Sequence, residues 1–333
     1  MKKSIVELFA GVGGFRLGME RLNSGWETVW FSQWEPGART QWAHDCYVSH
    51  FGDAKDLNGE YTTGIDISEV NKKAMPDHTL LVGGFPCQDY SVAHSLSTSQ
   101  GLEGKKGVLW WQIRDTLIAK NAPFVLLENV DRLIKSPAKQ RGRDFGVMLA
   151  CFNELGYSVE WRVVNAALYG GPQRRRRTFI FAYKNDTKYG KKMSKISYED
   201  IINQYGLMTE AFPIEFPVEK FSETVLFEDV VEVSDKFQFG FETSGYMRNG
   251  RIITAKVKEK EESPITLKEI LEACENEDYF VSSSDLPSWV EMKGAKKKER
   301  TTAEGHTYTF SEGAIPFLDY YNNPGRTMLT SEG

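Results

Sequence analysis

The 333 residues include only four cysteines and five histidines, and no two cysteines form a CxxC pair. That scarcity excludes a zinc ribbon and a disulfide framework, and no metal is indicated. No apolar run approaches the roughly 20 residues that a membrane helix needs. Lys2 and Lys3 open the chain, but Glu7 interrupts the apolar stretch and glycines follow. This is a poor secretory signal, so the expectation is a cytoplasmic protein without a membrane partner. A positive excess is also lacking: the formal net charge is −5, which argues against a protein that coats nucleic acid. Local basic patches are nonetheless present at Arg174 to Arg177, at Lys135, Lys139, Arg141 and Arg143, and at Lys296, Lys297, Lys298 and Arg300. Each alone reads as a solvated face. Hydrophobic residues at 41% and charged residues at 26% are ordinary for a globular chain, and the length suggests about two domains.

Strand and helix signals alternate over the first 185 residues. Ser4 to Ala10 reads as a buried strand, followed by Gly11, Gly13 and Gly14 and a helix to about Leu22. Glu27 to Phe31 is a second strand, ending at Glu35 and Pro36, with a helix over 38–51. Thr79 to Val82 and Phe124 to Leu127 are short apolar strands. A helix near 146–155 leads to strands at Ser158 to Val164 and Thr178 to Ala182. The fold class expected is α/β, a doubly wound, mostly parallel sheet. After Tyr183 the pattern becomes mixed and polar, with strand candidates at Phe221 to Val233 and Arg251 to Val257. Lys256 to Glu262 and Glu291 to Glu304 read as charged surface loops. The boundaries expected are 1–185 for a first domain, 186–318 for a second, less regular one, and 319–333 for a return segment.

Four motifs lie at or near strand ends, where open α/β sheets place their ligands. Phe9, Gly11, Gly13 and Gly14 form a glycine turn before a helix, which lets backbone approach a ligand, although the spacing is not GxGxxG. Glu35 is placed to accept from ribose hydroxyls, and Asp66 with Ile67 to meet an adenine; the bland reading of each carboxylate is a surface charge. Pro86, Cys87 and Gln88 follow the third strand. A cysteine held by proline there is a candidate nucleophile, or else a packed thiol; Cys46, Cys151 and Cys274 lack that setting and are assigned to packing. Glu128 and Asn129 follow the Phe124 strand, and a carboxyl there is a candidate general acid. Gln173 to Arg177 precedes the last strand. In an extended segment Arg175 and Arg177 share one face and Arg174 and Arg176 the other.

In this order the motifs resemble the C5 cytosine DNA methyltransferase family, over nearly the whole chain. Asn165, Ala166, Tyr169 and Gly170 look like another family block, and Arg326 and Thr327 like the segment that supports a recognition domain. The resemblance implies S-adenosylmethionine as cofactor, with Phe9, Gly11, Gly13 and Gly14 on its methionine side, Glu35 on the ribose, Asp66 and Ile67 on the adenine, and Pro86 also cofactor-binding. It implies double-stranded DNA as partner and a cytosine flipped into the pocket. Cys87 would attack C6, Glu128 would engage N3, Arg175 would contact the base, and Arg177 would position the catalytic groups. Gln88, Ser91, Asn129, Arg174, Arg326 and Thr327 are carried over as substrate-binding. The polar stretch Ser91 to Gly107 is expected to close over DNA, with Lys105 and Lys106 near phosphate. Residues 186–318 would read sequence in the major groove, with Lys296 to Arg300 a candidate phosphate contact.

One departure stands out. The family's last motif, a Gly-Asn pair on a segment packing against the cofactor site, is absent after Arg326. A truncated chain, a second chain supplying that motif, or a permuted relative would each account for it. The expected function is DNA cytosine-5 methylation in a restriction-modification system, with a possible cognate endonuclease as partner. The alternatives are an RNA (tRNA) cytosine-5 methyltransferase, one chain of a two-subunit enzyme, or an inactive DNA-binding relative.

Overall fold

The computed structural model describes residues 2–85, 109–274, 276, 280–301 and 307–327. The chain divides into two compact units: residues 1–164 with 176–260, and residues 165–175 with 261–333.

The first unit is built on a nine-stranded sheet. Its strands are β1 (Ser4–Leu8), β2 (Glu27–Ser32), β3 (Leu80–Gly84), β4 (Phe124–Val130), β5 (Tyr157–Asn165), β7 (Arg176–Lys184), β8 (Ser222–Val225), β9 (Ser244–Arg248) and β10 (Arg251–Ala255). They lie in the order β2-β1-β3-β4-β7-β5-β9-β10-β8. The β2-β1-β3-β4 half is parallel. Beyond it, β7 runs antiparallel to β4, β9 to β5, and β10 to β9 and β8.

The parallel strands bury both faces, as their continuous apolar runs require. Val6, Leu8, Leu81, Val125, Leu127, Ile180 and Ala182 join one core with α3 (Leu109–Lys120) and α4 (Arg143–Glu154). The alternate residues face the other way. Ile5, Leu80 and Val82 pack with Phe15 and Met19 of α1 (Gly14–Arg21). Phe181 and Tyr183 pack with Tyr189 and Met193 of α5 (Lys188–Met193). Helices on two faces of one sheet make this the doubly wound α/β class.

Three details differ from the sequence expectation. Residues 186–260 belong to the first unit: β9 pairs with β5, and Leu226, Val230, Met247 and Ile252 enter the same core as Val6. The Phe221 to Val233 strand stops at Val225, because Asp229 accepts from the Val231 N–H at 2.8 Å and caps a helix over Val230–Lys236. Lys296 to Thr301, read as loop, is a strand.

A buried carboxyl links β5 to the segment that covers it. Glu160 is 2% exposed, and its Oε2 accepts from the Met208 N–H at 3.1 Å, at the start of α6 (Leu207–Ala211). Burial raises the carboxyl from 4.5 to about 7, against the pull of the Met208 amide and Arg162. A carboxyl raised in the folded state favours the protonated native protein, so stability falls as pH climbs from 4.5 towards 7. Glu160→Gln is therefore expected to gain about 3 kcal/mol on wild type between pH 4.5 and pH 8. Thermal unfolding of both proteins across that range measures it; a constant difference would contradict the assignment.

The second unit holds two small sheets. In one, β6 (Gln173–Arg174) pairs in parallel with β13 (Gly325–Arg326). In the other, β11 (Lys296–Thr301) pairs antiparallel with β12 (Thr307–Glu312). Thr266 and Glu269 form a capping box on a short helix over Leu267–Ile270. No helix among the described residues of either unit is long and apolar enough to cross a membrane.

Candidate active site

Parallel pairing brings the carboxyl ends of four strands to one edge of the first unit. Leu8 is paired with Ser32 and Gly83, Gly84 with Glu128, and Val130 with Arg177. The glycine turn, the segment after β2, the exit of β3, and Glu128 therefore share that edge.

The turn after β1 is strongly constrained. Phe9 has φ 55°, an unusual left-handed value for a residue with a side chain. Gly13 has φ 89°, and a Cβ there would lie 2.5 Å from the Phe51 ring and 3.1 Å from that of Tyr47. Both observations require glycine at 13. Gly11 has φ 57° and open space where a Cβ would be, and its N–H donates to Gln33 Oε1 at 2.7 Å. Helix α1 begins at Gly14.

Gln33 escaped the sequence reading, as did Glu7 and Tyr47 beneath the turn. Glu7 is fully buried and accepts from the Tyr47 hydroxyl at 3.1 Å. Burial pushes its carboxyl up to about 7, opposed by Tyr47 and Arg16. Tyr47, on α2 (Trp42–Phe51), stacks on Phe31 of β2 with ring centroids 3.8 Å apart. A carboxylate inside an apolar strand is a local signal; its tyrosine partner, forty residues on, is not.

Glu35 is exposed just past β2, its backbone held by Gln41 through bonds of 2.7 and 2.9 Å. Gly11, the start of α1 and the exposed Glu35 carboxylate suit a ligand with an amino-acid end and a ribose, as S-adenosylmethionine has. Asp66 Oδ1 accepts from the Ser68 N–H and hydroxyl at 2.9 and 2.8 Å, which holds its turn. The Ile67 side chain is 4% exposed within the main core. The adenine contact expected of Ile67 therefore does not extend to its side chain, which the core holds.

Pro86, Cys87, Gln88, Ser91, Lys105 and Lys106 lie outside the described residues. The strand leading to them is well anchored: Phe85 is 2% exposed and packs against Trp110. Of the other cysteines, Cys151 is buried in the core, which pushes its thiol up to about 11. Cys46 and Cys274 are exposed, so the expected packing holds for Cys151 alone.

Glu128 and Asn129 lie within β4, not after it, and their side chains point oppositely. Glu128 Oε1 is 2.8 Å from Arg177 Nε, with both side chains partly buried. Its Oε2 lies 3.5 Å from where a Cβ on Gly84 would stand, so the carboxylate leans towards the exit of β3. Asn129 was expected at the substrate, but it is 1% exposed and its amide donates to the Phe85 carbonyl at 2.8 Å. Its own oxygen accepts from the Val130 N–H at 2.8 Å. Asn129 thus ties β4 to Phe85, the residue that follows β3. Asn129→Ala would strand the buried Phe85 carbonyl and is expected to cost about 1–3 kcal/mol. It should also lower kcat while leaving cofactor affinity unchanged; thermal melts with steady-state kinetics check both.

The arginines alternate as expected. Arg174 and Arg176 are exposed, while Arg175 and Arg177 are partly buried. They also divide between the units. Arg177 with Glu128 and Arg176 with Asp131 belong to the first unit. Arg174 and Arg175 belong to the second. There Arg174 and Arg326 both approach Asp319, at 3.9 and 3.3 Å. Thr327 donates to the Arg174 carbonyl at 2.7 Å, and Gln173 to that of Arg326 at 3.1 Å. These contacts join Arg326 and Thr327 to β6 within that unit.

A family model described as C-5 cytosine-specific DNA methylase matches residues 3–332. The type II methyltransferase M.Sau3AI of Staphylococcus aureus is 48% identical, over 99% of this chain and 80% of that protein. The type II methyltransferase M.HhaI of Haemophilus parahaemolyticus is 34% identical, over 54% of this chain and 49% of that protein. A crystal structure of a Spodoptera frugiperda DNMT2 mutant shares the fold with a TM-score of 0.51 at 14% identity, over 87% of this chain and 65% of that one. With a family model matching residues 3–332 and a relative 48% identical over 99% of its length, this chain belongs to the C-5 cytosine-specific DNA methylase family.

Proposed function

We propose that this chain methylates C5 of a cytosine in one short duplex DNA sequence, through a covalent bond from Cys87 to C6. The observation that carries the reading is Glu128, clamped by Arg177 at the carboxyl edge and leaning towards the strand that leads to Cys87. The named relatives are type II methyltransferases, and we extend that class to this chain, as the modifying half of a restriction-modification pair.

C5 of cytosine is a poor nucleophile. Addition of the Cys87 thiolate to C6 places negative charge on the ring and makes C5 enamine-like. Glu128, hydrogen-bonded at N3, holds the proton that offsets this charge. Arg177 keeps the Glu128 carboxylate in one orientation, and Asn129 holds the Phe85 carbonyl just before the nucleophile. The turn from Phe9 to Gly14 and Glu35 would hold S-adenosylmethionine, which supplies an electrophilic methyl group on sulfur. After transfer, water takes the C5 proton, Glu128 takes back the N3 proton, and Cys87 departs from C6, which restores the aromatic base and the free thiolate. Arg175 is assigned to the target base.

The test is transfer of labelled methyl from S-adenosylmethionine to unmethylated genomic DNA, with tRNA in a parallel reaction. Label in DNA, mapped to one short motif by cytosine-conversion sequencing, is the expected result. Label in tRNA alone would overturn the DNA assignment.

A further inference from the structure

We propose that the β11-β12 ribbon is the element of the second unit that enters the major groove, with its Lys296, Lys298 and Arg300 face against the DNA. The inference rests on the DNA reading above and adds the reading element and the residues within it.

Lys296 to Thr301 pairs in register with Thr307 to Glu312: Lys298 opposes Phe310, and Glu299 opposes Thr309. Directly opposed residues share a face. By that register one face carries the positions of Lys296, Lys298 and Arg300, opposite Glu312, Phe310 and Tyr308. The other carries Lys297, Glu299, Thr301, Thr307, Thr309 and Ser311. Five of the six β11 residues are exposed, and Thr307, Thr309 and Ser311 are exposed on β12. An isolated two-stranded ribbon is marginal in water, so one presented to solvent on both faces is suited to a partner. Its charge identifies the partner: β11 and β12 together hold four cations and two anions, a positive excess within a chain of net charge −5.

The dimensions also agree. Six residues span about 20 Å, and a two-stranded ribbon fits the B-DNA major groove of about 12 Å width. The Arg300 guanidinium lies 3.9 Å from the centroid of the Phe310 ring. This stacking fixes a planar, forked donor in advance, which suits a guanine edge. Lys298, a compact exposed charge two residues away, suits a phosphate. A β-strand built from Lys, Lys, Lys, Glu, Arg and Thr has no local strand signal. Its partner strand, with Thr307, Tyr308, Thr309 and Phe310, supplies the β propensity.

The experiment uses the full chain and two 30-base-pair duplexes, one carrying the motif that the wild type methylates and one scrambled, with binding followed by anisotropy over a salt series. Lys298→Ala is expected to weaken both duplexes equally, about 3- to 10-fold, and to lower the salt slope by about 1. Arg300→Lys keeps the charge but is expected to cut discrimination between the duplexes about 10-fold or more. Lys297→Ala removes the same charge from the opposite face and should change the slope by less than about half as much as Lys298→Ala. Unchanged binding and discrimination in Lys298→Ala and Arg300→Lys, beside a wild type that binds and methylates, would overturn the ribbon assignment alone. A wild type that neither binds nor methylates DNA would overturn both readings.

Discussion

Cys87→Ser is expected to lower methyl transfer about a thousandfold or more, roughly 4 kcal/mol of barrier, without weakening either ligand. A serine hydroxyl has almost no alkoxide near neutral pH, whereas a cysteine thiol supplies thiolate readily. The substitution changes one atom and leaves in place the anchoring of Phe85 by Trp110 and Asn129, two residues earlier in the chain. Cofactor affinity by calorimetry and duplex affinity by anisotropy should stay within about twofold while kcat collapses. A serine variant that turned over at the wild-type rate would remove covalent catalysis from the account.

The second large effect is at Glu128. Glu128→Gln keeps the shape and can still hydrogen-bond N3, but it cannot hold and return a proton. We expect kcat to fall about 10²- to 10⁴-fold, with KM for DNA little changed. Arg177→Ala should lower kcat less, because Arg177 acts by orienting Glu128 through their 2.8 Å contact. The double variant should then be scarcely worse than Glu128→Gln alone, since the arginine would have nothing left to orient. Fully additive losses would show that Arg177 works independently of Glu128.

The legible parts of this chain are those whose causes are local. The turn from Phe9 to Gly14 could be read because strand, glycine and helix follow one another within ten residues. The alternation of Arg174 to Arg177 could be read because an extended chain has period two. The division of those four arginines between two units could not, because their partners Glu128, Asp131 and Asp319 lie far away in sequence. Asn129 was given to substrate because its true partner, the Phe85 carbonyl, is 44 residues earlier. The antiparallel extension of the sheet and the ribbon at Lys296 were missed for a related reason. Arg251 to Val257 reads as a strand, but its place in the first sheet is set by the pairing of β9 with β5, distant in sequence, and a run of lysines carries no local instruction to extend.

The most direct test of the central claim is to trap the bond between Cys87 and C6. In the duplex found to be methylated, the target cytosine is replaced by one carrying fluorine at C5. Addition of the thiolate and methyl transfer can proceed, but no C5 proton remains to be lost, so Cys87 cannot depart. With S-adenosylmethionine present, a denaturation-resistant complex of one chain and one duplex should form, and peptide mapping should place the link at Cys87. Its absence, or a link at the exposed Cys46 or Cys274, would contradict the mechanism.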